Sequence, residues 1–276
     1  MAKSLDEALE VAFRTDTGVV REHNEDAVFA DAARGLVILA DGMGGYNAGE
    51  VASSMAVTLL SAELDMALSG TAVCQDDGDG GVSFVRRCLQ DKIQAANAAI
   101  YRAAVSEPKY AGMGTTLVAA LFHDNRVTVA HIGDSRLYRL RGEELTVLTR
   151  DHSLLQEQID CGLISPEEAR YSQHRNLVTR ALGVDPVVVA EIHDYPAESG
   201  DIYLFCSDGL NDMVTDEDIH LTLQMLSVNL ELAATQLVQM ANDNGGRDNV
   251  SVVLVKVLRS FAASGGWQSC LGAWFK

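Results

Sequence analysis

Three aspartates stand at the ends of the most apolar strand-like runs in this chain, and that placement limits what it can fold into. Asp41 follows GLVILA, Asp208 follows IYLFCS, and Asp248 precedes VSVVLVKV. A fourth, Asp134, lies in HIGDSR between two further runs. A carboxylate at the end of a buried strand is costly to desolvate unless something pairs with it. Turn chemistry explains any one of these, because Asp and Gly are common turn residues. Four at once, each against an apolar strand, are better explained by a shared cation. No His or Cys cluster accompanies them, and oxygen-only coordination suits Mg²⁺ or Mn²⁺. Two such ions about 3.5–4 Å apart activate water against phosphate esters. The Asp41-Gly42-Met43-Gly44-Gly45 stretch is not followed by Gly-Lys-Ser/Thr, so it does not read as a P-loop.

Short β-branched or alternating runs predict strands over Gly35–Ala40, Thr116–His123, Arg126–Ile132, Arg136–Arg141, Val187–Ile192, Asp201–Cys206 and Val250–Val257. Asp124-Asn125 reads as a two-residue hairpin turn. Helical spacing predicts long helices over about Asn47–Leu68, with Asn47 and Glu50 as a capping pair, and Val82–Val105. Two more begin at the caps Thr215 and Asn229, and a short one at Ser165-Pro166-Glu167-Glu168. Hairpins and meanders outnumber βα units, which favours antiparallel sheets covered by helices in one α/β domain. Between the two long helices, Asp77-Gly78-Asp79 resembles a fragment of a calcium loop but lacks the later ligands, so an acidic loop is expected there.

The chain holds 21 Lys+Arg and 39 Asp+Glu, a formal charge of −18. The surplus is spread evenly over both halves and argues against nucleic acid, whose phosphates recruit Lys and Arg. Cys74, Cys88, Cys161, Cys206 and Cys270 form no CxxC pair, which suggests neither zinc nor a disulfide framework. The acid-bearing start MAKSLDEALEV has no apolar signal region, and no run approaches a membrane span. A cytoplasmic protein is expected.

Arg21-x-x-Asn24-Glu25-Asp26, Asp41-Gly-Met-Gly-Gly, Met113-Gly114-Thr115-Thr116, His131-Ile-Gly133-Asp134-Ser135-Arg136, Asp151-His152-Ser153, Thr179-Arg180-Ala-Leu-Gly183, Ser207-Asp208-Gly209-Leu210 and Arg247-Asp248-Asn249 occur in that order. Together they resemble the metal-dependent serine/threonine protein phosphatases of the type 2C (PPM) family in its compact bacterial form. The resemblance covers roughly residues 10–258. It implies a four-layer αββα sandwich, two central antiparallel sheets flanked by helices, with residues 1–258 as the catalytic domain. It also implies hydrolysis of phosphoserine and phosphothreonine by direct attack of a metal-bridging water, opposing a serine/threonine kinase, with two or three Mn²⁺ or Mg²⁺ ions. A phosphoprotein-binding module with little turnover and a small-molecule phosphoesterase are the alternatives.

Carried over by position, the resemblance makes Asp41 the bridge between two metals, with the Gly42 carbonyl as a further ligand. Asp208 and Asp248 complete one metal, and Asp134 with Asp208 takes a third. Glu25 and Asp26, with Asn249 beside them, support metal-bound water, and Arg21 binds the substrate phosphate. One position departs: some family members carry His after the Asp-Gly pair as general acid, and here it is Met43. His23 and His152 are the substitutes to consider. The segment from about 154 to 176 corresponds to the family's variable flap, where His174 and Arg175 could meet a phosphopeptide. Residues 259–276 form a Trp-containing tail, uncharged over Ser260–Phe275, that either folds onto the domain, is a disordered end or serves as a docking element.

Overall fold

Alternation along the central strands divides their side chains between two cores. The computed structural model describes residues 4–45, 48–69, 84–165, 168 and 177–262. Strand β3 (Leu36–Met43) sends Leu36, Ile38 and Ala40 to one face and Val37 and Leu39 to the other. The first face packs on helices α1 (Ala48–Ser69) and α2 (Phe84–Ser106). The second meets Tyr203, Phe205, Val253 and Val255 from the opposing sheet. Burying each such large side chain contributes about 1.5–3 kcal/mol.

Two antiparallel sheets result. One has the order β2 (Asp26–Asp31), β3, β5 (Leu117–His123), β6 (Arg126–Ile132) and β9 (Glu191–Pro196), with the two-residue β4 (Gly114–Thr115) also pairing β3. The other runs β1 (Leu9–Asp16), β11 (Val250–Val257), β10 (Ile202–Cys206), β7 (Arg136–Arg141) and β8 (Glu144–Val147). Between β7 and β9 lies α3 (Leu154–Asp160), capped by Ser153. A four-residue helix α4 (Asp208–Asn211) follows β10. Helices α5 (Asp216–Met225) and α6 (Leu230–Asp243) cover the outer face of the second sheet through Ile219, Leu223, Leu237 and Ala241. The layers are helix, sheet, sheet, helix.

The caps at Thr215 and Asn229 form: each side chain accepts a backbone N–H of its helix's first turn. Ser165 and Glu168 exchange reciprocal hydrogen bonds of 2.8–3.2 Å as a capping box. Asp124 and Asn125 both have positive φ, +44° and +54°, as a tight two-residue hairpin requires. The expected strand over Val187–Ile192 is displaced, and β9 instead starts at Glu191. Its partner β6 pairs His131 with Glu191, and one residue beyond Ile132 the backbone turns away at Gly133 (φ +101°). Val187 and Val189, left without a ladder, are exposed. The sequence does not predict strands β1, β2, β4 and β8. The expected Asn47–Glu50 cap, Asp77-Gly-Asp79, His174, Arg175 and both tryptophans lie at least partly outside the described residues. The start of the tail packs on the domain, with Phe261 against Phe122 in the inter-sheet core. Among the described residues no helix is long and apolar enough to cross a membrane.

Candidate metal centre

The site lies where strands of both sheets end at the same edge of the sandwich. Asp41, near the end of β3, pairs across the ladder with Asp26, the first residue of β2. Asp208 opens α4 directly after β10, and Asp248 sits two residues before β11. Asp134 is in the β6–β7 turn. Asp41, Asp134, Asp208 and Asp248 line one cleft of about 200 Å³ with Arg21, Glu25, Gly42, Met43, Gly44, Thr116 and Val178.

Hydrogen bonds hold each part in place. The Asp41 N–H donates to Thr116 Oγ1 at 3.0 Å, and Thr115 Oγ1 donates to the Asp41 carbonyl at 2.8 Å. Thr116 also bonds Ser135 through their hydroxyls at 2.7 Å, which ties the Asp134 turn to the residue that precedes β5. Asn249 Oδ1 accepts the Glu25 N–H at 2.8 Å, while its Nδ2 donates to the carbonyls of Thr17 and His23. Asn249 thereby fastens the Arg21–Asp26 loop to β11 without lining the cleft. Asp26 lies beneath: Ser207 Oγ donates to its Oδ2 at 2.8 Å, and its Oδ1 is buried with no hydrogen-bond partner. Arg21 Nη2 donates to Asp248 Oδ2 at 2.6 Å with half the side chain still exposed.

Electrostatics ask for a cation here. Burial, then the charges of Asp26, Asp208, Asp134 and Asp248, hold the Asp41 carboxyl well above the usual carboxylate range. Asp208 is raised well above it by burial and by Asp134, Asp212, Asp248 and Asp26. Burial lifts Asp26 and Asp134 each to about 6, Asp134 with help from Asp151. Glu25 is raised by burial. Carboxylates so crowded cannot all ionise in a low-dielectric site without a positive partner. Hard divalent ions held by oxygen fit this donor set and the partnerless Asp26 oxygen.

At Gly42 the backbone passes close to its neighbours. A Cβ there would come within 2.1 Å of the Gly49 carbonyl oxygen and 2.6 Å of that of Glu25. Gly42→Ala is therefore expected to push β3 from α1, cost about 1–3 kcal/mol and weaken Mn²⁺ binding. Thermal melting with and without Mn²⁺ checks both effects.

Neither histidine considered as general acid lines the cleft. His23 is exposed, and His152 is buried between Gly133 and Glu191. Thr116 and Ser207 are the supporting residues whose roles the sequence did not reveal. Thr116 stands inside a motif, but nothing in that motif says which amide its hydroxyl meets.

Residues 19–258 match the family model for protein phosphatase 2C. The chain belongs to the protein phosphatase 2C family. It is 44 % identical over 253 residues to the serine/threonine protein phosphatase PstP of Mycobacterium tuberculosis, covering 91 % of this chain and 45 % of PstP. The chain thus spans about half the length of that relative. It is 41 % identical to the serine/threonine phosphatase stp of Listeria innocua, covering 88 % of this chain and 94 % of that protein. The PstP catalytic domain in complex with two manganese ions superposes with a TM-score of 0.77 at 43 % identity, over 91 % of this chain and 99 % of that one. Stp1 of Staphylococcus aureus gives 0.80 at 33 % identity, over 93 % and 97 %.

Proposed function

We propose that this chain hydrolyses phosphoserine and phosphothreonine in proteins, using Mn²⁺ or Mg²⁺, and opposes a serine/threonine kinase in the cytoplasm. The observation that carries this reading is the convergence of four aspartates from two sheets on one cleft with Arg21 among its walls, in a protein phosphatase 2C domain. Asp41, Asp208, Asp248 and the Gly42 carbonyl would hold two ions, and Asp134 with Asp208 a third. When bound, such ions activate water and screen the phosphoryl oxygens. Glu25 and Asp26 orient water from the side of β2, with Asn249 fixing their loop. Arg21 has five N–H donors, so it can keep its bond to Asp248 and still present donors to a phosphoryl group. Neither His23 nor His152 lines the cleft, so neither is assigned as the acid for the leaving alkoxide, and the cysteines take no part.

The test is hydrolysis of a phosphothreonine peptide and of p-nitrophenyl phosphate with Mn²⁺, with and without EDTA. Turnover of both that stops in chelator is expected. Binding of the peptide without turnover would instead make the chain a phosphoprotein-binding module, and activity in chelator would overturn the metal reading. Arg21→Ala is expected to raise KM for the peptide about tenfold, the loss of a charge-assisted hydrogen bond, with a smaller change in kcat. Steady-state kinetics at saturating Mn²⁺ separates the two.

A further inference from the structure

Outside the carboxylate cleft, the described residues bring one other set of metal-ligand-type side chains together: His131, His152 and Glu191. His152 is buried, and its ring stacks on His131 with centroids 4.9 Å apart and planes 22° from parallel. Its Nδ1 accepts the Gly133 N–H at 3.2 Å, and its Nε2 lies 3.1 Å from Glu191 Oε2. An accepting Nδ1 leaves the ring proton on Nε2, where it donates to the carboxylate. Nε2 then has no lone pair to give an ion, so the cluster is not a metal site. Although burial works the other way, hydrogen bonds from His193 and His152 bring Glu191 down to about 2, so it is an ionised acceptor.

The partner of Nδ1 gives the cluster its meaning, because Gly133 immediately precedes Asp134. Gly133 has φ +101°, and a Cβ there would come within 2.7 Å of the Thr116 side chain. The turn is therefore wedged between Thr116, which also holds Asp41, and His152. The main chain of His152 adds two bonds: its N–H donates to the Gly133 carbonyl at 2.9 Å, and its carbonyl accepts the Thr179 N–H at 2.8 Å. The next residue, Ser153, bridges Val178, and the Leu154 N–H donates to the Leu177 carbonyl at 2.9 Å. His152 thus joins the Asp134 turn to both ends of the 154–177 segment.

We propose that His152, its tautomer fixed by Glu191, is a positioning residue that holds the Gly133–Asp134 turn so that Asp134 can take an ion. This rests on the reading of Asp134 as a metal ligand. The residue acts through the turn and not as the acid of the reaction.

Mn²⁺ binding followed by titration calorimetry, alongside the Mn²⁺ concentration for half-maximal activity, tests the proposal. His152→Leu removes the acceptor and is expected to weaken about tenfold the Mn²⁺ site to which Asp134 contributes, with activity lost at low Mn²⁺ and recovered at high. His152→Asn, whose Oδ1 can stand in for Nδ1, is expected to bind Mn²⁺ as the unaltered protein does. In an Asp134→Asn background, His152→Leu should change Mn²⁺ binding no further. Unaltered binding in His152→Leu would overturn the proposal, as would an Asn variant as weak as Leu, or an equal loss in the Asp134→Asn background. Should His152→Leu fail to fold, the half-exposed Glu191→Ala is expected to weaken the same site about threefold, and an unchanged site would count against the proposal. Imidazole ¹⁵N shifts give an independent check: an Nδ1–H tautomer at His152 would also overturn it. If Asp134→Asn alone leaves Mn²⁺ binding unaltered, the ligand role of Asp134 falls first, and the two failures are distinguishable.

Discussion

Asp41→Asn is expected to lower kcat with Mn²⁺ by about 10³-fold while making the metal-free protein more stable. The loss follows from removing the carboxylate at the centre of the cluster, where ion binding supplies about 4 kcal/mol of transition-state stabilisation. The gain has the opposite origin. Without an ion, Asp41 is buried among Asp26, Asp208, Asp134 and Asp248, which all resist its ionisation. Asn keeps the shape and removes that repulsion. A rise of about 2–4 °C in melting temperature in EDTA corresponds to about 1 kcal/mol for a chain of this size. Kinetics with Mn²⁺ and calorimetry in EDTA read the two effects separately. A variant that loses activity and also loses metal-free stability would contradict the account.

The second large effect is a pH dependence that the ions should abolish. Asp26 and Asp134 are held to about 6 in the metal-free fold, above the ordinary value of 3.8. A folded-state value raised in this way contributes stability at low pH that is lost as pH rises through 6. From pH 5 to pH 7.5 the two groups together lose about 3 kcal/mol, or about 6–12 °C in melting temperature. Asp41 and Asp208 act in the same direction. With Mn²⁺ the trend should flatten or reverse, since deprotonated carboxylates bind the ion and the ion favours the folded state. Melting curves at four or five pH values, with EDTA and with Mn²⁺, suffice. A metal-free protein that grows more stable over this range would show that the carboxylates are not crowded as described.

The sequence made the core strands and the site's acids legible for the same reason. Runs such as Arg126–Ile132 and Val250–Val257 are buried along nearly their whole length, so their apolar character marks both ends. An aspartate abutting such a run stands out because its burial is costly. Edge strands lack that contrast: β2 is half-buried throughout, and β1 carries Arg14 and an exposed Phe13. The displaced start of β9 depended on where its neighbour β6 stops pairing, which no local pattern records. The partners within the site were hidden likewise. Thr116 beneath Asp41, Ser207 beneath Asp26 and the ring orientation of His152 follow from contacts between segments far apart in the chain. The charge of −18 signalled an acidic protein without saying that several acids converge on one cleft.

The proposed ligands are divided between the sheets: Asp41 belongs to one, while Asp208 and Asp248 extend from strands of the other. One residue of slippage along a strand is about 3.3 Å, more than the length of a bond from ion to oxygen. With these ligands, ion affinity would work as a caliper for the alignment of the two sheets. Packing changes between the sheets, at Leu39 or Val253 for example, would register as a change in metal affinity well before they registered as unfolding. The apolar interior then carries a tolerance set by coordination chemistry at its edge, tighter than its own stability demands.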